Sequence, residues 1–377
     1  MKRFIFITFF FAFFLTQFYG QEHTITIDAQ LDDKKDILKI QQTIVFVNES
    51  DSTLTEIYLQ NWPDGYRNRN TALSQRLIED YNKSLYFIKD RDRGFIAIKN
   101  LSVDFAAVTF SELEKNKSDV LKISLEQPLK PKESVTINAV YDLKIPNEKF
   151  TRYGKSKTGY HLRYWYLVPA IFNGEWQLMS NLNMDDLMTN ISNYEIKLKL
   201  PKYYYLSSNL YEYKTQKEDH VDYYLIGKNK TEALLDINLR NNYISFKTKD
   251  INVKTNLHRN SISPELSKDI LNRQLLFIKQ YLGKYPHKEI FIDEATQRKN
   301  PIYGLNQLPS FIRPFPDVFE WDLTMLKAMS KKYIDNTLFL DKRKDYWLTD
   351  GLQTFLLMQY VTTYYPEIKL AGNLANV

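Results

Sequence analysis

No cysteine occurs in the chain. That excludes disulfides, a thiolate nucleophile, cysteine metal ligands and a lipid-modified cysteine anchor. Histidine is scarce: His23, His161, His220, His258 and His287 are the full set, and none stands two or four residues from another. The helical imidazole pair of a zinc motif is therefore missing, and a lone histidine is usually a packed or surface residue. Neither a G-x-S-x-G elbow nor a phosphate-binding glycine loop is present. Positive charge exceeds negative by six but is spread along the chain, with no block long enough to act as a nucleic-acid tail. After residue 20 no apolar run is long enough for a transmembrane helix.

What is present is a chain of 377 residues, 44% hydrophobic and 25% charged. This suffices for a proper core and suggests about two or three domains. The 27 tyrosines and 23 phenylalanines suit packing between sheets, because tyrosine joins a large apolar body to a wet tip. Residues 1–20 read as an export signal: Lys2 and Arg3 precede an apolar run from Ile5 to Leu15 that is too short to span a bilayer. Gly20 suits the last residue before cleavage, although Phe18 is large for its place. The expected mature chain is exported and soluble, periplasmic in a double-membraned bacterium and otherwise extracellular.

From His23 to about Leu257 the dominant period is two. Strands are expected at Thr24–Ala29, Ile37–Val47, Thr55–Leu59, Phe95–Val103, Asp119–Leu125, Ser134–Leu143 and Tyr194–Pro201. Asn61 to Gly65 reads as a turn, and Thr71 to Tyr81 as one helix capped by Asn70 or Thr71. Short strands at regular spacing with polar turns predict an antiparallel sandwich or saddle. Tyr243 to Leu257 still alternates. The pattern then turns helical: Ser263 caps a helix with Pro264 at its first position, and Gly283 ends it. Lys288 to Asp293 is a short apolar strand. The domain boundary is placed near residue 245.

Two helical segments follow between Leu326 and Phe355, joined by a charged connector. The second holds W-L-T-D-G-L at Trp347–Leu352. This resembles the W-L-N-E-G-F phrase of the aminopeptidase N family, the gluzincin zinc metallo-aminopeptidases. The family's spacing puts its H-E-x-x-H at residues 327–331, and Tyr333–Asn336, Y-I-D-N, takes the place of its W-x-G-N. Upstream, H-L-R-Y-W-Y-L-V-P at His161–Pro169 and Y-E-I-K-L-K-L-P at Tyr194–Pro201 resemble the late part of its amino-terminal β domain. After the export signal at 1–20, the resemblance implies an all-β domain at 21–245 and an incomplete thermolysin-like α/β domain at 246–377. The family's catalytic tyrosine and helical carboxy-terminal domain have no counterpart up to Val377. Such a half-domain is expected to expose Leu352, Phe355, Leu356 and Met358 unless a missing region or a partner covers them.

The resemblance also implies a degenerate site. His, Glu and His are replaced by Lys327, Ala328 and Lys331, and the third ligand by the shorter Asp350. An ammonium has three donors and no lone pair, whereas a zinc ligand must be deprotonated. Ala328 has no group to take a proton from water. An ion pair of Lys331, with or without Lys327, to Asp350 is expected where the metal would sit; the plainer alternative leaves both lysines on a solvated helix face. The family's amine-anchoring G-x-M-E-N aligns with Gly304 and Gln307, where the glutamine keeps hydrogen bonds but loses the charge that pairs with an ammonium. The expectation is a pseudo-peptidase with no cofactor, retained to bind a peptide or protein. The alternatives are an active zinc aminopeptidase with other ligands, and a structural envelope protein working through its β domain.

Overall fold

The computed structural model describes residues 22–114, 117–298, 302 and 315–368. The export signal and the Gly304–Gln307 anchor lie outside the described residues.

Alternation produces an eight-stranded sheet. Its central strands are Thr24–Asp32, Ile37–Val47 and Ser134–Lys144, which pair antiparallel in that order. Along Thr24–Asp32 the side chains of Ile25, Ile27, Ala29 and Leu31 turn inward, while Thr26, Asp28 and Gln30 stay in water. Ser192–Pro201 joins the first strand in parallel, and His220–Lys230 and then Tyr211–Gln216 complete that edge. A smaller sheet, built on Leu54–Gln60 and Val120–Leu129, contributes Ile57, Leu59, Leu121 and Ile123 to the same core. Gln42 is the polar exception there. Its amide donates to Leu167 O at 2.7 Å, and its oxygen accepts from the Tyr141 hydroxyl at 2.6 Å. The expected turn at Asn61 is instead a buried 3-10 helix, Trp62–Tyr66, anchored by the Trp62 indole donating to Met179 O at 2.6 Å. Burial of an indole carries more apolar area than a surface turn needs.

Helices α1 (Ala72–Glu79) and α2 (Ser84–Phe87) lie between strands of this part, and Thr71 caps α1 by accepting from Ser74 N at 3.4 Å. The alternating stretch after Tyr243 is not one strand. It folds into a hairpin, Ile244–Lys247 with Asn252–Thr255. Helix α3 (Pro264–Leu282) begins with Ser263 accepting from Leu266 N, and ends at Gly283 with φ +77°, a conformation glycine adopts without strain. Glu289–Ile292 then returns parallel to Asn252–Thr255. Helix α4 (Glu294–Arg298) is short, and α5 (Asp317–Thr337) and α6 (Tyr346–Tyr364) close the described chain. The result is a strand-rich amino-terminal part followed by a partial α/β part.

A second core forms here from α3, α5 and α6, with Leu271, Ile278, Leu326, Met329, Tyr333 and Tyr360 at its centre. Asp322 on α5 is fully buried within it. Its carboxylate accepts from the Tyr360 hydroxyl at 2.9 Å, the Tyr365 hydroxyl at 2.5 Å, the Arg273 guanidinium and the Gln274 amide. The expected exposure on α6 holds for Phe355 and Met358. Leu352 is half-buried and Leu356 is buried, because Leu356 turns onto the second core. Among the described residues no helix is long and apolar enough to cross a membrane.

Candidate functional site

Helix α5 reads as amphipathic but is enclosed almost all round. Asp317 and Glu320 lie in its first turn, where carboxylates favour the positive end of the helix dipole. Lys327 and Ala328 are each only 8% exposed, so the solvated-face alternative does not hold for this helix. Burial pushes the Lys327 ammonium below its ordinary range; the field of Asp350 opposes that shift and Lys331 adds to it. Lys327 and Asp350 thus face one another electrostatically across the two helices.

Lys331 does something else. Its ammonium pairs with Asp335 on the next turn, 3.2 Å away, rather than with Asp350. The expected Lys331–Asp350 pair is therefore corrected. An i,i+4 partner needs only rotamer choice, while Asp350 is solvent-exposed on a neighbouring helix. Helix α6 is fixed on α5 by Gln353 instead. Its amide donates to Lys327 O at 3.0 Å and to Ser330 Oγ at 3.5 Å.

The Lys331–Asp335 pair belongs to a larger network at the meeting of the two cores. From the β part come Arg152, Arg163, Asp185, Asp186 and Glu232; from α5 and the connector come Lys331, Lys332, Asp335, Lys342 and Arg343. Arg163 donates to Glu232 at 2.6 Å, to Asp185 and to the Tyr153 hydroxyl, with Tyr164 beneath its guanidinium at 4.6 Å. Arg152 reaches Asp185 at 2.7 Å, and Lys332 lies 3.9 Å from Glu232. Arg343 holds Asp186 and donates to Ser180 O at 2.5 Å. Lys342 donates to two neutral acceptors, Tyr164 Oη and Leu187 O, each at 3.3 Å.

The cations outweigh the carboxylates, six to four, and the proton affinities follow. Burial alone would raise the Asp335 carboxyl, but Lys331, Lys342, Arg163 and Lys332 together hold it well below the carboxylate range. Burial would also raise Glu232, and Arg163, Lys332 and Lys342 reverse it. Burial pulls Lys331 down, and Asp335 with Asp185 lifts it above its ordinary value. Lys342 stays lowered, since burial outweighs the pull of Asp335. Such an arrangement can hold carboxylate-bearing groups. It repels a further cation.

Sequence reasoning placed Lys327, Ala328 and Lys331 on one helix and Asp350 on the next. The structure brings Lys327 and Asp350 into each other's field and separates Lys331 from Asp350. Sequence reasoning missed Asp335, although the residue lay inside the Y-I-D-N phrase, four places after Lys331, at the position where the family has glycine. Arg163 also lay inside a quoted phrase. Asp185, Asp186, Glu232, Lys342 and Arg343 gave no local signal, because their partners come from distant parts of the chain. Among the described residues no three His, Asp or Glu side chains converge on a point that could hold a metal ion.

No family model matches the sequence, and no curated protein matches it. Solved structures do. The fold is similar to that of the M1 zinc metallopeptidase from Deinococcus radiodurans, with TM-score 0.56 at 10% identity over 91% of this chain and 70% of that one. A Glu-to-Ala variant of that enzyme with a bound Tyr-Ser-Ala substrate gives the same TM-score, 0.56, over 91% of this chain and 71% of that one. A two-domain M1 zinc metallopeptidase variant bound to L-arginine matches at TM-score 0.55 and 11% identity, over 92% of this chain and 72% of that one. The chain thus has the fold of the M1 metallopeptidases across its β part and the first part of its α/β domain.

Proposed function

We propose that this chain is an exported member of the peptidase fold that has lost its zinc site, hydrolyses no peptide bond, and survives as a binding protein for a peptide or protein segment. The observation that carries this reading is the Lys331–Asp335 ion pair. The residues at the metal positions do not fit zinc. Lys331 offers protons where a lone pair is required, and its ammonium is held charged by Asp335 and Asp185. Lys327 adds a second ammonium-bearing side chain, Ala328 has no basic group, and Asp350 alone supplies a carboxylate. The surplus of positive charge at the junction suits a ligand that carries carboxylates.

The test is elemental analysis of the purified protein, with an aminoacyl-anilide assay before and after a chelator. The expected result is substoichiometric zinc and no chelator-sensitive cleavage. Stoichiometric zinc with chelator-sensitive release of the amino acid would overturn the proposal in favour of an active aminopeptidase. Deleting residues 246–377 tests the remaining role, because a purely structural β domain would keep its function without them.

A further inference from the structure

A groove that neither Lys327 nor Asp350 lines holds about 1150 Å³ between the edge strand of the eight-stranded sheet, Tyr211–Gln216, and the hairpin that begins at Ile244. Glu212, Asn252, Lys254 and Glu289 line it. Lys254 donates to Glu212 Oε1 at 2.7 Å, and the Asn252 amide donates to Glu289 Oε2 at 2.5 Å. Among the described residues Glu212 Oε2 and Asn252 Oδ1 accept no hydrogen bond, but both atoms are closed to solvent and therefore to a ligand in the groove. What a ligand can reach is the rest of the lining.

Two features narrow the ligand. Tyr205 and Tyr211 also line the groove and are 45% and 72% exposed, while Tyr243 is stacked on Phe291 at 5.1 Å with the rings 14° apart. Flat aromatic faces receive the C–H face of a ring sugar, and the phenol tips remain available for hydrogen bonds. The charge is positive: Lys214, Lys228, Lys230 and Lys288 add four ammonium groups to the paired Lys254. Burial pushes Lys230 down to about 8; Lys332 adds to that shift and Glu289 opposes it. A polyphosphate would satisfy the lysines but leave the tyrosine faces bare. A neutral glycan would cover the tyrosines but leave the lysines unmatched.

We propose that this groove binds an acidic oligosaccharide, a chain of ring sugars that carry both hydroxyls and carboxylates. The rings lie on the tyrosines, and the carboxylates face the lysines. The proposal does not rest on the fate of the zinc site.

Calorimetry on the full chain tests it with three probes of equal length: hexagalacturonate, a neutral glucose hexamer, and hexaglutamate. The first shares its rings and hydroxyls with the second and its carboxylates with the third. Hexagalacturonate is expected to bind with a dissociation constant below about 1 mM and at least tenfold more tightly than either other probe. The double variant Tyr205→Ala/Tyr211→Ala is expected to lose at least tenfold while its thermal midpoint is unchanged. Equal binding of hexaglutamate would make the groove a site for acidic peptides and overturn the proposal. Equal binding of the neutral hexamer, no binding of any probe, or binding indifferent to the tyrosine pair would overturn it as well.

Discussion

Asp322 and Asp335 sit on the same helix, one toward each end, and are satisfied in opposite ways. Asp322 is held by directed hydrogen bonds from two phenols, an amide and one guanidinium, all from helices of its own core or the segment just after them. Asp335 is held by a field. Only Lys331 touches it among the described residues, yet Lys342, Arg163 and Lys332 also act on it, and one of these comes from the β part. A third buried acid, Asp119, completes the series. It accepts from the Ser180 hydroxyl at 2.7 Å and from Asn181 N at 2.6 Å, with no cation beside it among the described residues, and burial pushes its carboxyl up to about 6. The same burial thus gives a depressed or an elevated carboxyl, according to whether ammonium groups or hydroxyls surround it. The α5–β junction is the place where this chain collects cations.

The largest break is expected at Asp322. Replacing it with alanine strands a guanidinium and two phenols inside the second core and should cost about 3–5 kcal/mol, read as a fall in the urea midpoint. A cost under about 1 kcal/mol would show that water takes over the carboxylate's role. Asp335→Asn is next. It leaves four cations with fewer counter-charges, and about 2–4 kcal/mol should be lost at neutral pH. Because the Asp335 carboxyl is depressed on folding, its contribution is present above about pH 4 and is lost as pH falls below that. The variant should therefore show a shallower acid limb in a stability–pH titration.

Asp119 should give the opposite slope. Its folded carboxyl titrates near 6, above its unfolded value, so the folded state binds the extra proton. The stability it contributes is greatest below the unfolded value and falls as pH rises from about 4 to about 6, by roughly 2–3 kcal/mol. Asp119→Asn should flatten that interval and leave the acid limb intact. A wild-type curve unchanged by the substitution would refute the contrast. The smallest effect is expected at Lys342. Among the described residues the Lys342 ammonium donates only to neutral acceptors and gains little from burial, so Lys342→Met should cost less than about 1 kcal/mol. A loss as large as that of Asp335→Asn would mean that the positive surplus is itself required.

Much of the fold was legible. Strands such as Ile37–Val47 announce themselves because one face must alternate with the other, and Ser263, Pro264 and Gly283 mark a helix by chemistry that acts within a turn. The Trp62 segment was misread because Pro and Gly signal a turn locally, while the indole's burial depends on Met179, far along the chain. The alternating stretch after Tyr243 concealed a hairpin for the same reason. At the site, the lysines on α5 were legible and their partner was not. The family's ligand spacing points to Asp350, while the i,i+4 neighbour Asp335 is the residue that Lys331 meets.

The sequence by itself determined that no cysteine chemistry and no helical histidine pair could operate, that the first part would be strands, and that two lysines and an alanine would occupy the helix where its resemblance sets a metal. These follow from residue identity and short periods, which neighbours along the chain enforce. Only the tertiary structure decided which charges meet: that Lys331 turns to Asp335, that Arg163 is enclosed between Glu232 and Asp185, and that Glu212 faces Lys254 across a groove. Coulomb forces and desolvation depend on distance through space, and that distance is set only when both cores have packed.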